Sequence, residues 1–526
     1  MRKSQLVAIF ATVLALTFST SGTALSAEPG QAISLDDYLY QQVPAGMFYA
    51  RETLVGFNSG PNTYYGSTTT KGPDNVWNVV FQPCTAELKD YCVESVSWRK
   101  IGDNQWNAGS VTGWKPSATD PILAGTIYTE LGETQYRDFF IQPDTGLPRG
   151  GYAKVWNLNG ATHGGGDDYV VSASVSYYKN EKNPVTSQVF GISIKPVKFN
   201  LSSPKPANAW PFSYGTTYDF PTDIELQAKV RMGKFKDSVG GWFNGRILDP
   251  SISQVGSTLT LAGTSTRVLA AHTGPISCEN SKLSPILTEK CANKDPSLAS
   301  QASVSVQTLS FSIEASTTPT SIYPKGSFAY FEPILKPIGF TSEWNALTWG
   351  VNGSGNCQMA PGEIALVSSN ATLYSSSPPA WDSVEQTLAY QVGSLHLDQT
   401  GALHKGHFNL AVPKAFAKCL WGENILNAKA TVAVTNADGT NNVATSVLSQ
   451  DDQMIYFKVA GFTFSTPQIK VKLEIPKAAP TPSATPTPTV TIKPVPIQKT
   501  ITCIKGKATK KVIAVAPKCP TGYKKK

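Results

Sequence analysis

The chain has 526 residues, 41% of them hydrophobic and only 16% charged, with 42 Gly and 37 Pro. At roughly 150 residues per domain, that length suits three or four domains. The composition excludes a coiled coil and a mostly disordered chain, and the lack of a long internal apolar run excludes a polytopic membrane protein.

The formal net charge of +8 is unevenly spread. Ten lysines and no Asp, Glu or Arg lie between Thr491 and Lys526. Setting those ten aside leaves 35 Lys and Arg against 37 Asp and Glu, a net −2. A basic tail is therefore joined to a mildly acidic body.

At the N-terminus, Arg2 and Lys3 precede the apolar stretch Leu6 to Phe18 and small residues around Ala24-Leu25-Ser26. This is the pattern of a signal peptide over residues 1–27, which predicts secretion with no transmembrane segment left after cleavage.

Strand signals dominate the body. Ile224, Leu226, Ala228, Val230 and Met232 alternate with Glu225, Gln227, Lys229 and Arg231, which predicts one buried face and one wet face. Val171, Ala173, Val175 and Tyr177 alternate with serines, and Ile469, Val471, Leu473 and Ile475 alternate with Lys470, Lys472 and Glu474. Val304 and Val306 precede Leu309, Phe311 and Ile313, and the change of parity suggests a bulge. Asn436-Ala437-Asp438-Gly439 reads as a hairpin turn. Helical spacing is confined to Leu35–Gln42 and Asp382–Tyr390.

The expectation is an all-β protein built from tandem β-sandwich domains, Ig-like or jelly-roll in type, over 28–198, 199–340 and 341–476. A Pro/Thr-rich spacer follows over 477–498, extended as polyproline II. The chain ends in a small hairpin module over 499–526, too short to stabilise itself by burial alone.

The eight cysteines suit an exported chain. Pairing neighbours keeps each bond inside one segment: Cys84 with Cys92, Cys278 with Cys291, Cys357 with Cys419, and Cys503 with Cys519. There is no CxxC pair, which argues against structural zinc.

The segment Ile501-Thr-Cys-Ile-Lys-Gly-Lys-Ala-Thr-Lys-Lys-Val512 through Pro517-Lys-Cys-Pro-Thr-Gly-Tyr-Lys-Lys-Lys526 resembles a short Lys-rich, two-Cys module found at the C-terminus of exported actinobacterial proteins. Leu388-Ala-Tyr-Gln-Val392, Lys405-Gly-His-Phe408, Cys419-Leu-Trp-Gly422 and Gly461-Phe-Thr-Phe464 resemble a β-rich family of secreted actinobacterial proteins. The resemblance implies an envelope or extracellular protein and no particular reaction.

Candidate chemistry is sparse. GxSxG, HExxH, Walker A and GxGxxG are all absent, and no catalytic residue, metal ligand or cofactor is assigned. His396, Asp398, His404 and His407 fall close together, but solvent-facing residues beside a turn explain them more simply. The same holds for Asp167 and Asp168 after Gly164-Gly165-Gly166, and for Asn436, Asp438 and Asn441. Trp77, Trp98, Trp106, Trp114 and Trp156, with Tyr64, Tyr65, Tyr177 and Tyr178, offer rings for sugar stacking or for core filling. Trp242 and Arg246 in Gly241-Trp-Phe-Asn-Gly-Arg246 are candidate ligand-binding residues, although a tight turn with one buried aromatic explains them more simply.

Lys505, Lys507, Lys510, Lys511, Lys518, Lys524, Lys525 and Lys526 are candidate polyanion-binding residues. With Lys as the cation and only Tyr523 to stack, specific nucleic-acid reading is not expected. The expected partners are cell-wall polyanions, surface glycans or other proteins. The expected role is non-enzymatic binding or adhesion at the envelope. The rival readings are a structural surface-layer component and a secreted jelly-roll hydrolase acting through two carboxylates.

Overall fold

The computed structural model describes, with brief internal gaps, residues 75–113, 139–199, 213–272, 336–423, 429–474 and 498–526, together with residues 47–49 and 305–306. The protein is all-β. Residues up to Ile475 cluster as one compact unit and Pro476–Lys526 as a second.

The large unit is organised by one long sheet. From one edge it runs Ser110–Val111, Lys154–Asn157 beside Asn75–Val80, Asp168–Lys179, Thr186–Phe199, Asn345–Thr348, Gly241–Val255, Ile364–Ser369, Lys405–Pro413, Met454–Thr463 and Thr445–Gln450. All of these pairings are antiparallel except that of Gly241–Val255 with Ile364–Ser369.

The middle of this sheet is covered on both faces. In Gly241–Val255, Phe243 and Ile247 enter one core while Trp242 enters another. In Ile364–Ser369, Ile364 and Leu366 join the first core, and Ala365 and Val367 the second. A strand with two dry faces shows no alternation, and all six residues of Ile364–Ser369 are buried.

The first core is closed by a sheet of Cys92–Lys100, Ile224–Arg231, Thr258–His272 and the second half of Gly241–Val255. It takes Ile224, Leu226, Ala228 and Val230 from one side of a strictly alternating strand, as the sequence pattern predicts. The second core is closed by Thr387–Gly393, Gln468–Glu474, Lys429–Thr435 and the helix Lys414–Trp421. Among the described residues of the large unit, one 20-stranded sheet thus folds around the first core, and its middle strands are shared with a second core closed by a six-stranded sheet.

The boundaries expected at 198/199 and 340/341 fall inside this shared arrangement. Cys92–Lys100 pairs with Ile224–Arg231 across the first, and Gly241–Val255 pairs with Ile364–Ser369 across the second. One strand makes this possible. Gly241–Val255 belongs to the central sheet at its start and to the first-core sheet at its end. The change falls between Arg246, which pairs with Asn345, and Ile247, which pairs with Ser265, just ahead of a register shift between Leu248 and Ser251 where Asp249 has φ 52° and Pro250 follows. A bulge bends a strand, and proline has no N–H to donate there.

Gly241 opens the strand at φ 91°, where a Cβ would lie 2.2 Å from the Val351 carbonyl oxygen. No other residue fits that corner.

Two local expectations are corrected. Asp382–Tyr390 is not helical but a hairpin, Ala380–Asp382 against Thr387–Gly393. The Asp382 carboxylate accepts the Val384 and Glu385 N–H groups at 2.9 and 3.0 Å, and Gln386 sits at φ 54°, so side-chain capping turns the chain before a helix can propagate. An α-helix that the sequence did not suggest lies at Lys414–Trp421, where Phe416, Ala417, Leu420 and Trp421 form its buried side.

The serine face of Asp168–Lys179 is also drier than its alternation suggests. Ser172 is 1% exposed, and Val170 packs with Val80, Ala153, Val155 and Val197.

Three expected disulfides are formed: Cys84–Cys92, Cys357–Cys419 and Cys503–Cys519. Cys278 and Cys291 lie outside the described residues, as do the signal segment, Leu35–Gln42, the Val304–Ile313 pattern apart from 305–306, and the 477–497 part of the spacer.

Candidate functional site

The C-terminal module is a three-stranded antiparallel sheet. Lys499–Lys505 is its centre, flanked by Ala508–Ala514 and Lys524–Lys525. The hairpin turns on Gly506 at φ 60°, the residue type a tight two-residue turn demands at its first position. The Cys503–Cys519 bond closes a separation of 16 residues, worth about 3 kcal/mol of loop-closure entropy. Cys503 is fully buried, and the Lys526 N–H donates to the Thr502 carbonyl at 2.8 Å.

All nine lysines from Lys499 to Lys526 are exposed, including the eight singled out by sequence. No acidic residue occurs in this segment. Lys510 and Lys525 both register against Cys503. Two strand spacings put them roughly 10 Å apart, about one Debye length at 0.1 M salt, so their repulsion is only partly screened. The sheet therefore presents a positive field with no internal counter-charge.

Trp242 and Arg246 are not at a surface. Each is 1% exposed. Trp242 packs edge-on against Phe416 and donates its indole N–H to the Gly353 carbonyl at 3.2 Å. The Arg246 guanidinium lies over the Tyr374 ring at 4.3 Å and donates to the carbonyls of Ser369 (2.8 Å), Thr372 (3.1 Å) and Ala371. It acts as a clamp on the chain leaving Ile364–Ser369. A ligand has no access to either side chain, so the expected ligand pair is corrected to a core aromatic and a buried backbone anchor.

The same region gathers the histidines. The Thr372 hydroxyl donates to the Leu269 carbonyl at 2.6 Å and lies 2.6 Å from the Ser394 hydroxyl, which is 3.0 Å from His404 Nδ1. Because Thr372 spends its proton on Leu269, Ser394 donates to Thr372 and His404 Nδ1–H donates to Ser394. His404 Nε2 is then a bare lone pair, and it has no partner among the described residues.

The His404 ring packs on Phe464 at 4.6 Å and against Phe340 at 5.5 Å. Burial pushes its pKa down to about 4. His407 Nε2 shares a 3.0 Å hydrogen bond with Thr266, and burial, with Arg246 and His404 nearby, lowers its pKa to about 3. Both rings are neutral near pH 7. Asp398 is held low by its Thr400 hydrogen bonds inside its own hairpin tip, and His396 Nδ1 meets the Phe464 carbonyl at 2.8 Å. These residues do not converge on a common point, and no cluster of three or more metal-ligating side chains occurs among the described residues.

The remaining candidates resolve into structure. Gly165 N–H donates to His163 Nδ1 at 3.0 Å, which leaves Nε2–H to donate to the Asp168 carbonyl at 2.9 Å. Asp168 accepts from Asn157 and Asp167 from Gly160 N–H. Val434↔Asn442 and Thr435↔Asn441 pair as the two arms of a hairpin whose tip, 436–440, is outside the described residues. Trp98, Trp156 and Tyr177 are core residues. Trp106 is half-buried under Arg99 at 4.4 Å. Trp114, Tyr64 and Tyr65 lie outside the described residues, and Trp77 is placed only as part of Asn75–Val80.

The buried Arg246–Thr372–Ser394–His404 chain was not expected from sequence. Its one signal there is an arginine inside the otherwise uncharged run Gly241–Leu248. The chain matches no protein-family model, no curated protein and no solved structure.

Proposed function

We propose that this is an exported, non-enzymatic binding protein of the cell envelope, retained there by its C-terminal module docking on anionic polymers. The large unit would then serve as a rigid β scaffold for a glycan- or protein-binding surface. The observation that carries this reading is the set of nine exposed lysines, with no acidic residue, on a disulfide-closed sheet. Such a field attracts polyanions and releases their counterions on contact, so retention weakens as salt rises.

Two further observations support export. The three disulfides suit an oxidising compartment. The Arg2-Lys3 and Leu6–Phe18 pattern adds the expected signal.

The test compares the full chain with a chain ending at residue 498 on envelope fractions of the producing cells, from low to high salt. Salt-sensitive retention of the full chain alone is expected. Equal retention of both chains overturns the docking role.

A further inference from the structure

The register of the C-terminal sheet divides its residues between two unlike faces. Opposed residues share a face. Ile501↔Val512, Cys503↔Lys510 and Cys503↔Lys525 therefore lie on one side, with the disulfide. The centre of that side is covered: Cys503 is fully buried, and the Lys505 side chain lies along Gly522, its Nζ 3.2 Å from where a Cβ there would stand, while Lys499, Lys505, Lys510 and Lys525 on it are exposed.

The other side carries Thr500↔Ile513, Thr502↔Lys511, Ile504↔Thr509 and Ile504↔Lys524. Thr500, Thr509, Lys511, Ile513 and Lys524 on it are exposed, and Thr502 and Ile504 are half-buried.

We propose that this open face docks a phosphodiester polymer without bases, a deepening that rests on the polyanion reading above. Lys511 and Lys524 neutralise phosphates, and the hydroxyls of Thr500, Thr502 and Thr509 donate hydrogen bonds to the same phosphate oxygens. Charge complementarity commits the occupant to a polyanion, since the module has nine Lys and no Asp or Glu. The kind of cation suits phosphate. Lys binds phosphate as a point charge without needing the forked geometry of Arg, which the module lacks. Thr hydroxyls are standard partners of phosphate oxygens. Thr502 and Lys511 stand roughly 5 Å apart across the strands and Thr500 roughly 6.7 Å further along, so one phosphate reaches a hydroxyl and an ammonium together. Ile513, 61% exposed, and Ile504 give the linking polyol an aliphatic floor. Tyr523, the module's single aromatic residue, is half-buried, which leaves no stacking platform for bases.

The test measures binding of the full-length protein to synthetic poly(glycerol phosphate), with polygalacturonate as the carboxylated counterpart. Replacing all three threonines by Val keeps shape, strand preference and net charge. It is expected to weaken poly(glycerol phosphate) binding by at least roughly tenfold at fixed salt, leaving the salt dependence unchanged. Replacing them by Ser keeps the hydroxyls and is expected to restore binding. An intact Cys503–Cys519 bond, read by mass after alkylation, shows that each variant has folded. Wild-type binding by the Val variant, or equal affinity for polygalacturonate, overturns the face and its ligand while salt-sensitive docking survives. Undiminished binding by a chain lacking 499–526 overturns the docking reading itself.

Discussion

The large unit and the C-terminal module solve opposite problems with the same secondary structure. In the large unit the middle of the central sheet is dry on both faces, and even the arginine there is hidden, held by three carbonyls and a ring. In the module almost nothing is hidden: Cys503 is its one fully buried residue, and every lysine faces solvent. The first holds together by burial of large side chains. The second has too little apolar surface for that and relies on a covalent closure. A residue that looks functional by type is therefore structural in one region and available in the other.

The contrast can be broken in order of effect. Trp242→Ala empties a fully buried site between the central sheet and the helix. It is expected to cost about 3–5 kcal/mol of stability in denaturant unfolding while leaving polyanion binding at low denaturant unchanged. Arg246→Leu leaves three buried carbonyls without their donor. It is expected to cost about 3 kcal/mol, because the loss is the desolvation of what remains rather than the worth of one bond.

Acid sharpens the contrast. The folded-state pKa values of about 4 for His404 and about 3 for His407 lie below the ordinary histidine value of 6.5. The unfolded chain therefore binds more protons in that interval, so this stability is present above pH 6.5 and is lost as pH falls towards 4 and then 3. A His404→Phe, His407→Leu double variant is expected to flatten that slope, read by urea unfolding from neutral to acid pH. The lysine module has no histidine and contributes nothing to the slope.

Cys503→Ser is expected to unfold the module, losing about 3 kcal/mol of closure, with no shift in the melting of the large unit. Amide exchange over 499–526 would read it directly. Lys100→Ala, which breaks an exposed pair with Asp223, is expected to change stability by less than about 1 kcal/mol.

Some of this was legible in the chain. Ile224–Arg231 alternates because one of its faces is wet, so its burial could be read residue by residue. The three described disulfides join cysteines that neighbour one another in the order of cysteines, as expected, and the basic module follows from a run of lysines with no acidic residue. Other elements were not legible. Phe416, Ala417, Leu420 and Trp421 line one side of a helix only two turns long, too short for periodicity to register, and packing plus the Cys357–Cys419 bond hold it. Gly241–Ile247 and Ile364–Ser369 carry no alternation because both faces are dry, so no period in the sequence showed that Trp242 and Arg246 are buried.

The sequence by itself determined the all-β class, the half-wet strands and where positive charge collects, because these depend on residue type and local period. The tertiary structure decided which sheet is shared between two cores, which histidines are neutral, and which face of the C-terminal sheet is left open. Those depend on pairing between strands far apart in the chain, and a period of two says nothing about the partner on the other side.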